Sequence, residues 1–257
     1  MKRQPTTPTR GSFLASLPEA ERSRLLASAR VMDFNAGTHL IHPGSPFNQI
    51  VLLEFGMLAV SEVSEHGTGR ITVLAGPEAL VPVSLLTPVT AQAPCEAWAL
   101  VDSRVLLLDA RDVQQWVTEG GPFTVAVLNY LSQLNHRLAT DLQITKDFNL
   151  VQRAAAALLE ISERLPQGST VERKPLPPNI VPVSHEVLAR RLGTVREVAT
   201  ESLGQLREED LIETLYRRVE IVDAEGLRRR AGGAGPPRPS PPTAGRGRPR
   251  PPAPPPR

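Results

Sequence analysis

Cysteine is almost absent: the chain of 257 residues holds one, Cys95. A single thiol excludes an intramolecular disulfide framework, a four-cysteine iron–sulfur site and an all-thiolate zinc site within one chain. Long apolar runs are missing as well. No stretch approaches the roughly 18 uninterrupted apolar residues that read as a membrane span, so no membrane partner is expected. The opening MKRQPTTPTRGSFLASL has two early cations but no apolar segment before Pro18, unlike a secretory signal. An excess of one charge is also lacking. With 29 Lys and Arg against 27 Asp and Glu the net charge is +2, so despite a pI near 9.0 bulk charge argues only weakly for nucleic acid, and the placement of charge matters more. The expectation is a cytoplasmic globular protein of roughly two domains.

Proline, by contrast, is plentiful and unevenly placed. Many of the 26 prolines crowd into the stretch after Gly235, which carries Arg238, Arg246, Arg248, Arg250 and Arg257 and no acid. Such a segment cannot pack a core and is expected to be a solvated tail, or an electrostatic arm for phosphate or an acidic partner. Between Val31 and Asp109, short β-branched and leucine runs are broken by turn signals such as HPGSP, Phe55-Gly56, EHGTGR and AGPEA, a spacing that predicts an antiparallel β-roll or sandwich. A helix over about residues 18–29 is expected to precede it.

From Phe123 to Lys146 the period becomes helical. Val127, Leu131, Leu134, Leu138 and Leu142 follow a three-four alternation, the spacing of a helix-pairing seam, and are the expected dimer contacts; Ala126, Tyr130, Gln133 and Arg137 are expected to face the other way. A helix over residues 150–165 follows, then a proline-rich loop, KPLPPNIVP.

The most informative segment is VSHEVLARRLGTVREVATESLGQLREEDLIETLYRRVEIVD. Ser184 is expected to cap a short helix ending near Leu192, Gly193 to form a tight turn, and Thr194 to cap the next helix in a capping box with Glu197. Two short helices across a glycine turn make a helix-turn-helix. On the second, Val195, Val198, Ala199, Ser202, Leu203 and Leu206 form the expected inward side. Arg196, Glu197, Thr200 and Glu201 form the outward one, where base edges would be read: Arg196 bidentate to guanine, Glu197 accepting from cytosine. LYRRVEIV predicts a two-stranded wing with Arg217 and Arg218 at its turn, facing phosphate.

In this order of parts the chain resembles the Crp/Fnr superfamily of bacterial regulators over residues 14–228. AGTHLIHPGSPFNQIVLLEFGMLAV resembles the early β-roll pattern, ALVDSRVLLLD the strand before the dimer helix, and LARRLGTVREVATESLGQLREEDLIE the helix-turn-helix. The resemblance implies an α+β protein with a disordered start (1–12), a β-roll sensor domain (13–120), a dimerisation helix (121–147), a C-terminal winged helix-turn-helix (148–230) and a Pro/Arg-rich tail (231–257). It implies double-stranded DNA as partner, a homodimer, and RNA polymerase as an open further partner; Ser184, Thr194, Arg196, Glu197, Thr200, Glu201, Arg217 and Arg218 become the DNA-binding candidates.

The departures from the pattern matter equally. The family's second recognition-helix arginine falls on Glu201, so the preferred half-site should differ. Cyclic-nucleotide binders carry a Gly-Glu pair for the ribose and an Arg-Ser or Arg-Thr pair for the phosphate; these fall near Pro82-Val83 and Ala93-Pro94. A desolvated phosphate without its cation argues against cyclic AMP. Heme stays open because His39, His42, His66 and Cys95 lie in the roll, as does a small apolar ligand or none. Two other classes remain: a regulator-like interaction protein that has lost DNA reading, and a small metal-dependent barrel enzyme built on His39 and His42, whose spacing fits such sites poorly.

Overall fold

The computed structural model describes residues 13–63, 69–87 and 95–232. His66, the Ala93-Pro94 position and the Arg-rich tail lie outside the described residues, as do the first twelve.

The chain opens with α1 (Phe13–Ser16) and α2 (Glu19–Ser28), then runs through eight strands: β1 (Arg30–Phe34), β2 (His39–Ile41), β3 (Gln49–Phe55), β4 (Leu58–Val63), β5 (Gly69–Ala75), β6 (Leu80–Val81), β7 (Cys95–Ala99) and β8 (Ser103–Asp109), with a 3-10 turn at Val83–Leu86. They form two antiparallel sheets, ordered β1-β8-β3-β6 and β2-β7-β4-β5. Here the expected β-roll is present.

Strand β3 explains why this region reads as solid apolar runs rather than alternation. Its odd residues, Val51 and Leu53, face the space between the sheets with Ile41, Leu58, Ala97 and Val105. Its even residues, Ile50 and Leu52, face the helical layer with Leu25, Leu108, Val113 and Trp116. A sheet buried on both faces has no polar side to alternate with. The other sheet is likewise covered on both faces: Ala59, Ile71 and Trp98 join the core of the C-terminal half.

Helix α3 (Ala110–Glu119) is capped by the Asp109 carboxylate, which accepts from the Arg111 amide. Gly120 and Gly121, both at positive φ, reverse the chain, and Pro122 at the first turn starts α4 (Pro122–Asp147), whose 26 residues extend about 39 Å. The amphipathic reading of α4 needs correction. Ala126 and Val127 are both buried in the roll's helical layer, with Tyr130 and Leu131 packed against it; Leu134 and Leu138 are half-buried, and of the predicted seam only Leu142 stands in the open. Of the predicted stripe, Val127 and Leu131 are thus spent on the roll's own helical layer. The exposed face is a different three-four series, Val125, Leu128, Ser132, Asn135, Ala139 and Leu142.

Helix α5 (Leu150–Arg164) begins in a capping box between Asn149 and Gln152 and supplies Val151, Ala154, Leu158 and Ile161 to the C-terminal core. The proline-rich stretch is not one loop. It contains β10 (Lys174–Pro175), paired with β9 (Thr170–Val171), and β11 (Ile180–Val181). After α6 (His185–Leu192) and α7 (Arg196–Glu208), β12 (Ile212–Leu215) and β13 (Arg218–Ile221) form the wing. With β11 paired to β13 the wing sheet has three strands, not the predicted two: buried Ile180 and Val181 gain ladder partners between the flanking prolines. Helix α8 (Ala224–Arg230) closes the described chain.

Candidate nucleic-acid interface

Helices α6 and α7 are held by three local devices. The Ser184 hydroxyl accepts from the Val187 amide and caps α6. Gly193 sits in the left-handed region (φ 67°, ψ 42°) and ends it, a conformation glycine takes without the Cβ penalty. Buried Leu188, Ala189, Leu192, Ala199, Leu203 and Leu206 seat both helices on α5 and the wing. The predicted capping box at Thr194 is not formed: α7 starts one residue later, with Val195 at the N-cap and no side-chain bond.

Ala199, Ser202, Leu203 and Leu206 are buried as expected, whereas Val195 and Val198 are exposed, a second correction to the predicted inward face. Arg196, Glu197, Thr200 and Glu201 all stand exposed in the first turns of α7. At 100° per residue, Glu197 and Glu201 lie near the middle of the outward face, Arg196 and Thr200 on one flank, and Val198 on the other. The Thr200 hydroxyl donates to the Arg196 carbonyl at 2.8 Å and lies 2.9 Å from His185 Nδ1, which fits an Nδ1–H tautomer donating to the threonine. Burial, then the neighbouring Arg196 charge, holds the His185 pKa below its ordinary value, which favours the neutral ring. His185 was not among the sequence candidates; its place at the first position of a short helix gave no sign of it.

Beside this face the wing turns through Tyr216, almost wholly exposed, and Arg217, at φ 55°. Arg218 begins β13 half-buried. Between wing and helices lies a groove lined by Ser184, His185, Glu186, Arg196, Leu215, Tyr216 and Arg217, with a volume near 420 Å³. Of the predicted residues the fold thus gathers Ser184, Arg196, Thr200, Glu197, Glu201 and Arg217 around one surface. Thr194 is beside them, half-buried, without a capping role.

The C-terminal half is fastened to the roll by charge. Asp102, between β7 and β8, accepts from the Ala36, Glu172 and Arg173 amides and from the Thr170 hydroxyl. Burial pushes its pKa up, but these four donors outweigh it and hold the carboxyl below its ordinary value. From α6, Arg190 pairs with Glu96, donates to the Gly69 carbonyl at 3.0 Å and covers the Trp98 ring at 4.4 Å. Arg191, itself buried, bonds Asp141 of α4 and Glu160 of α5, each at 2.8 Å. Burial lowers its pKa, and the two carboxylates more than reverse this, leaving it raised.

In the roll, the His39 ring stacks on His42 and Trp98 and its Nδ1 lies 3.2 Å from Glu96. Among the described residues no group of three or more His, Cys, Asp or Glu side chains could hold a metal ion. Cys95 is buried, and burial with the nearby Glu62 charge pushes its thiol up to about 11; a thiol so protonated is a poor nucleophile. No helix among the described residues is long and apolar enough to cross a membrane.

Residues 31–119 match the cyclic nucleotide-binding domain family, and residues 152–230 the Crp-like helix-turn-helix domain family. The transcriptional regulator SdrP of Thermus thermophilus is 36% identical over 86 residues, 34% of this chain and 40% of that protein; the aligned part is thus well under two thirds of that relative. The global nitrogen regulator of Synechococcus elongatus is 23% identical over 206 residues, 78% of this chain and 89% of that protein. A crystal structure of a CRP/FNR-family transcriptional regulator from Thermus thermophilus superposes with a TM-score of 0.63 at 25% identity, covering 79% of this chain and 98% of the other. With both domain types matched in the order in which the fold presents them, the chain belongs to the Crp/Fnr family of transcription regulators.

Proposed function

We propose that the protein binds double-stranded DNA as a homodimer and reads a two-fold symmetric operator with α7 in the major groove. The observation that carries this reading is the exposure of Arg196, Glu197, Thr200 and Glu201 in the first two turns of α7, backed by α6 and flanked by the wing arginine. In this arrangement Arg196 donates to guanine O6 and N7, Glu197 and Glu201 accept from cytosine amino groups, and Arg217 meets phosphate. Thr200 acts by steadying His185 and the Arg196 backbone rather than by a free hydroxyl. Two α7 helices about 34 Å apart would enter successive grooves.

The dimer uses the exposed stripe of α4. Leu128 (60% exposed) and Leu142 (67% exposed) recur with Val125, Ser132, Asn135 and Ala139 at coiled-coil spacing, and a polar residue such as Asn135 fixes register at some cost in stability. Cyclic AMP is not the effector in this reading: no Lys or Arg lies between Arg70 and Arg104, so the phosphate would be desolvated without a cation. What links roll to reader is chain contact. The Tyr130 hydroxyl accepts from the Leu80 amide and donates to its carbonyl, joining β6 to α4, and Asp102 and Arg190 join the roll to the C-terminal half. A change in the roll would reorient α7 through these contacts. Such a protein works in the cytoplasm, where the DNA is.

Selection from a random duplex pool, followed by anisotropy on the recovered sequence with wild type and Arg196→Ala, tests the reading. A palindromic motif lost in the variant is expected. Binding that is only salt-sensitive and unspecific, unchanged by Arg196→Ala, would favour the alternative of an interaction protein, for which the acidic Glu197 and Glu201 speak.

A further inference from the structure

Two features at the start of α7 run against the usual rules. Val195 occupies the N-cap without any side-chain hydrogen bond, although valine is among the poorest residues there, and a threonine stands next door. Val195 is also 59% exposed and Val198 37% exposed, and neither belongs to a core cluster of the protein. Val195 stands at the N-cap and Val198 in the first turn that follows it, so two exposed isopropyl groups lie at the tip of α7. On the helix itself Val198 sits on the flank opposite Arg196, across Glu197. A single exposed apolar side chain needs no explanation; a paired one on the turn that would meet base edges, at a position where a capping oxygen is forgone, has the character of a functional site that violates local preference.

The major-groove floor offers one apolar group, the C5-methyl of thymine. We infer that Val195 and Val198 read thymine methyl groups at base pairs adjoining the one contacted by Arg196. The inference rests on the DNA-reading proposal and refines it: the half-site contains thymine on the Val195–Val198 side of the Arg196 guanine. What favours this is that two isopropyl groups beside the charged Arg196 and Glu197 offer too little apolar surface to seat a protein partner, while a thymine methyl is a group that a single β-branched side chain can cover.

The test uses the full chain and the operator recovered by selection. Each thymine of a half-site is replaced singly by deoxyuridine, which removes only the methyl, and affinity is measured for wild type, Val195→Ala and Val198→Ala. At one or two thymines the wild type should lose about three- to tenfold in affinity, the scale of one buried methyl or a little more. That loss should shrink to near unity in at least one variant, the signature of direct coupling. Both positions are exposed, so thermal unfolding of the variants should match wild type and separates misfolding from lost contact. Three results overturn the inference: a half-site with no thymine beside the guanine, specific Arg196-dependent binding that no deoxyuridine weakens, or a deoxyuridine penalty undiminished in both variants. In each of these the DNA-reading proposal stands; absence of any specific duplex binding removes both.

Discussion

Replacing Arg191 by alanine removes the side chain that ties α6 to both α4 and α5. Its guanidinium is buried, with its Nη2 at 2.8 Å from Asp141 and from Glu160, while its Nε has no partner among the described residues. Removing one member of a buried pair costs about 3–5 kcal/mol, because the remaining charge is left uncompensated. Here the carboxylates are partly open, 31% exposed for Asp141 and 18% for Glu160, and Glu160 retains Arg164 at 2.6 Å. Rehydration and the surviving pair offset part of the loss, so the low end, about 3 kcal/mol, is expected. For a chain of this size that lowers the melting temperature by about 6–12 °C. Thermal unfolding measured by circular dichroism, with urea titration beside it, gives the number. Arg191→Met keeps the apolar stem but leaves the same carboxylates, so it should recover little; neutralising them as well, with Asp141→Asn and Glu160→Gln, should recover more than half. A loss below about 1 kcal/mol for Arg191→Ala would refute the reasoning, since it would mean that the guanidinium's desolvation had cancelled its pairing.

Further outcomes follow from the same contacts. Arg196→Ala should weaken binding to the selected operator by about 10- to 100-fold and relax preference at one base pair, read by anisotropy over a base-substitution series. Leu128→Glu with Leu142→Glu should shift the protein from dimer to monomer in sedimentation velocity without unfolding it, whereas Val127→Glu should unfold the roll. Asp102→Asn should speed amide exchange at Glu172 and Arg173 by weakening charge-assisted bonds of about 1.5–3 kcal/mol each. The wild-type Asp102 carboxyl has a depressed pKa in the fold, so its contribution is present above the unfolded value near 3.9 and is lost as pH falls through the lower folded value. An acid titration of Asp102→Asn should therefore show less decline in stability below about pH 4 than wild type.

How far the sequence reaches is clearest at α6 and α7. Ser184 and Gly193 were legible because a cap and a left-handed turn are local demands, met by residue type at a fixed offset. His185 was not, because its role comes from Thr200, fifteen residues away. Val195 was misassigned for a related reason. A helical wheel extended one residue past the true start of the helix puts it inward, whereas the extended backbone at the N-cap turns it to solvent.

The sequence by itself determined the kinds and order of the elements: short apolar runs between turns for the roll, a three-four period for α4, a glycine turn between two short helices for the reader. Residue identity alone also shows a single cysteine and no Lys or Arg between Arg70 and Arg104. Only the tertiary structure decided which face of α4 is free, that Ile180 and Val181 add a third strand to the wing, and that Asp102, Arg190 and Arg191 bind the two halves together. The physical reason is that periodicity reports the spacing between apolar residues but not the absolute rotation of a helix about its axis. That rotation is set by the neighbour that buries it, and in α4 the neighbour is the protein's own roll.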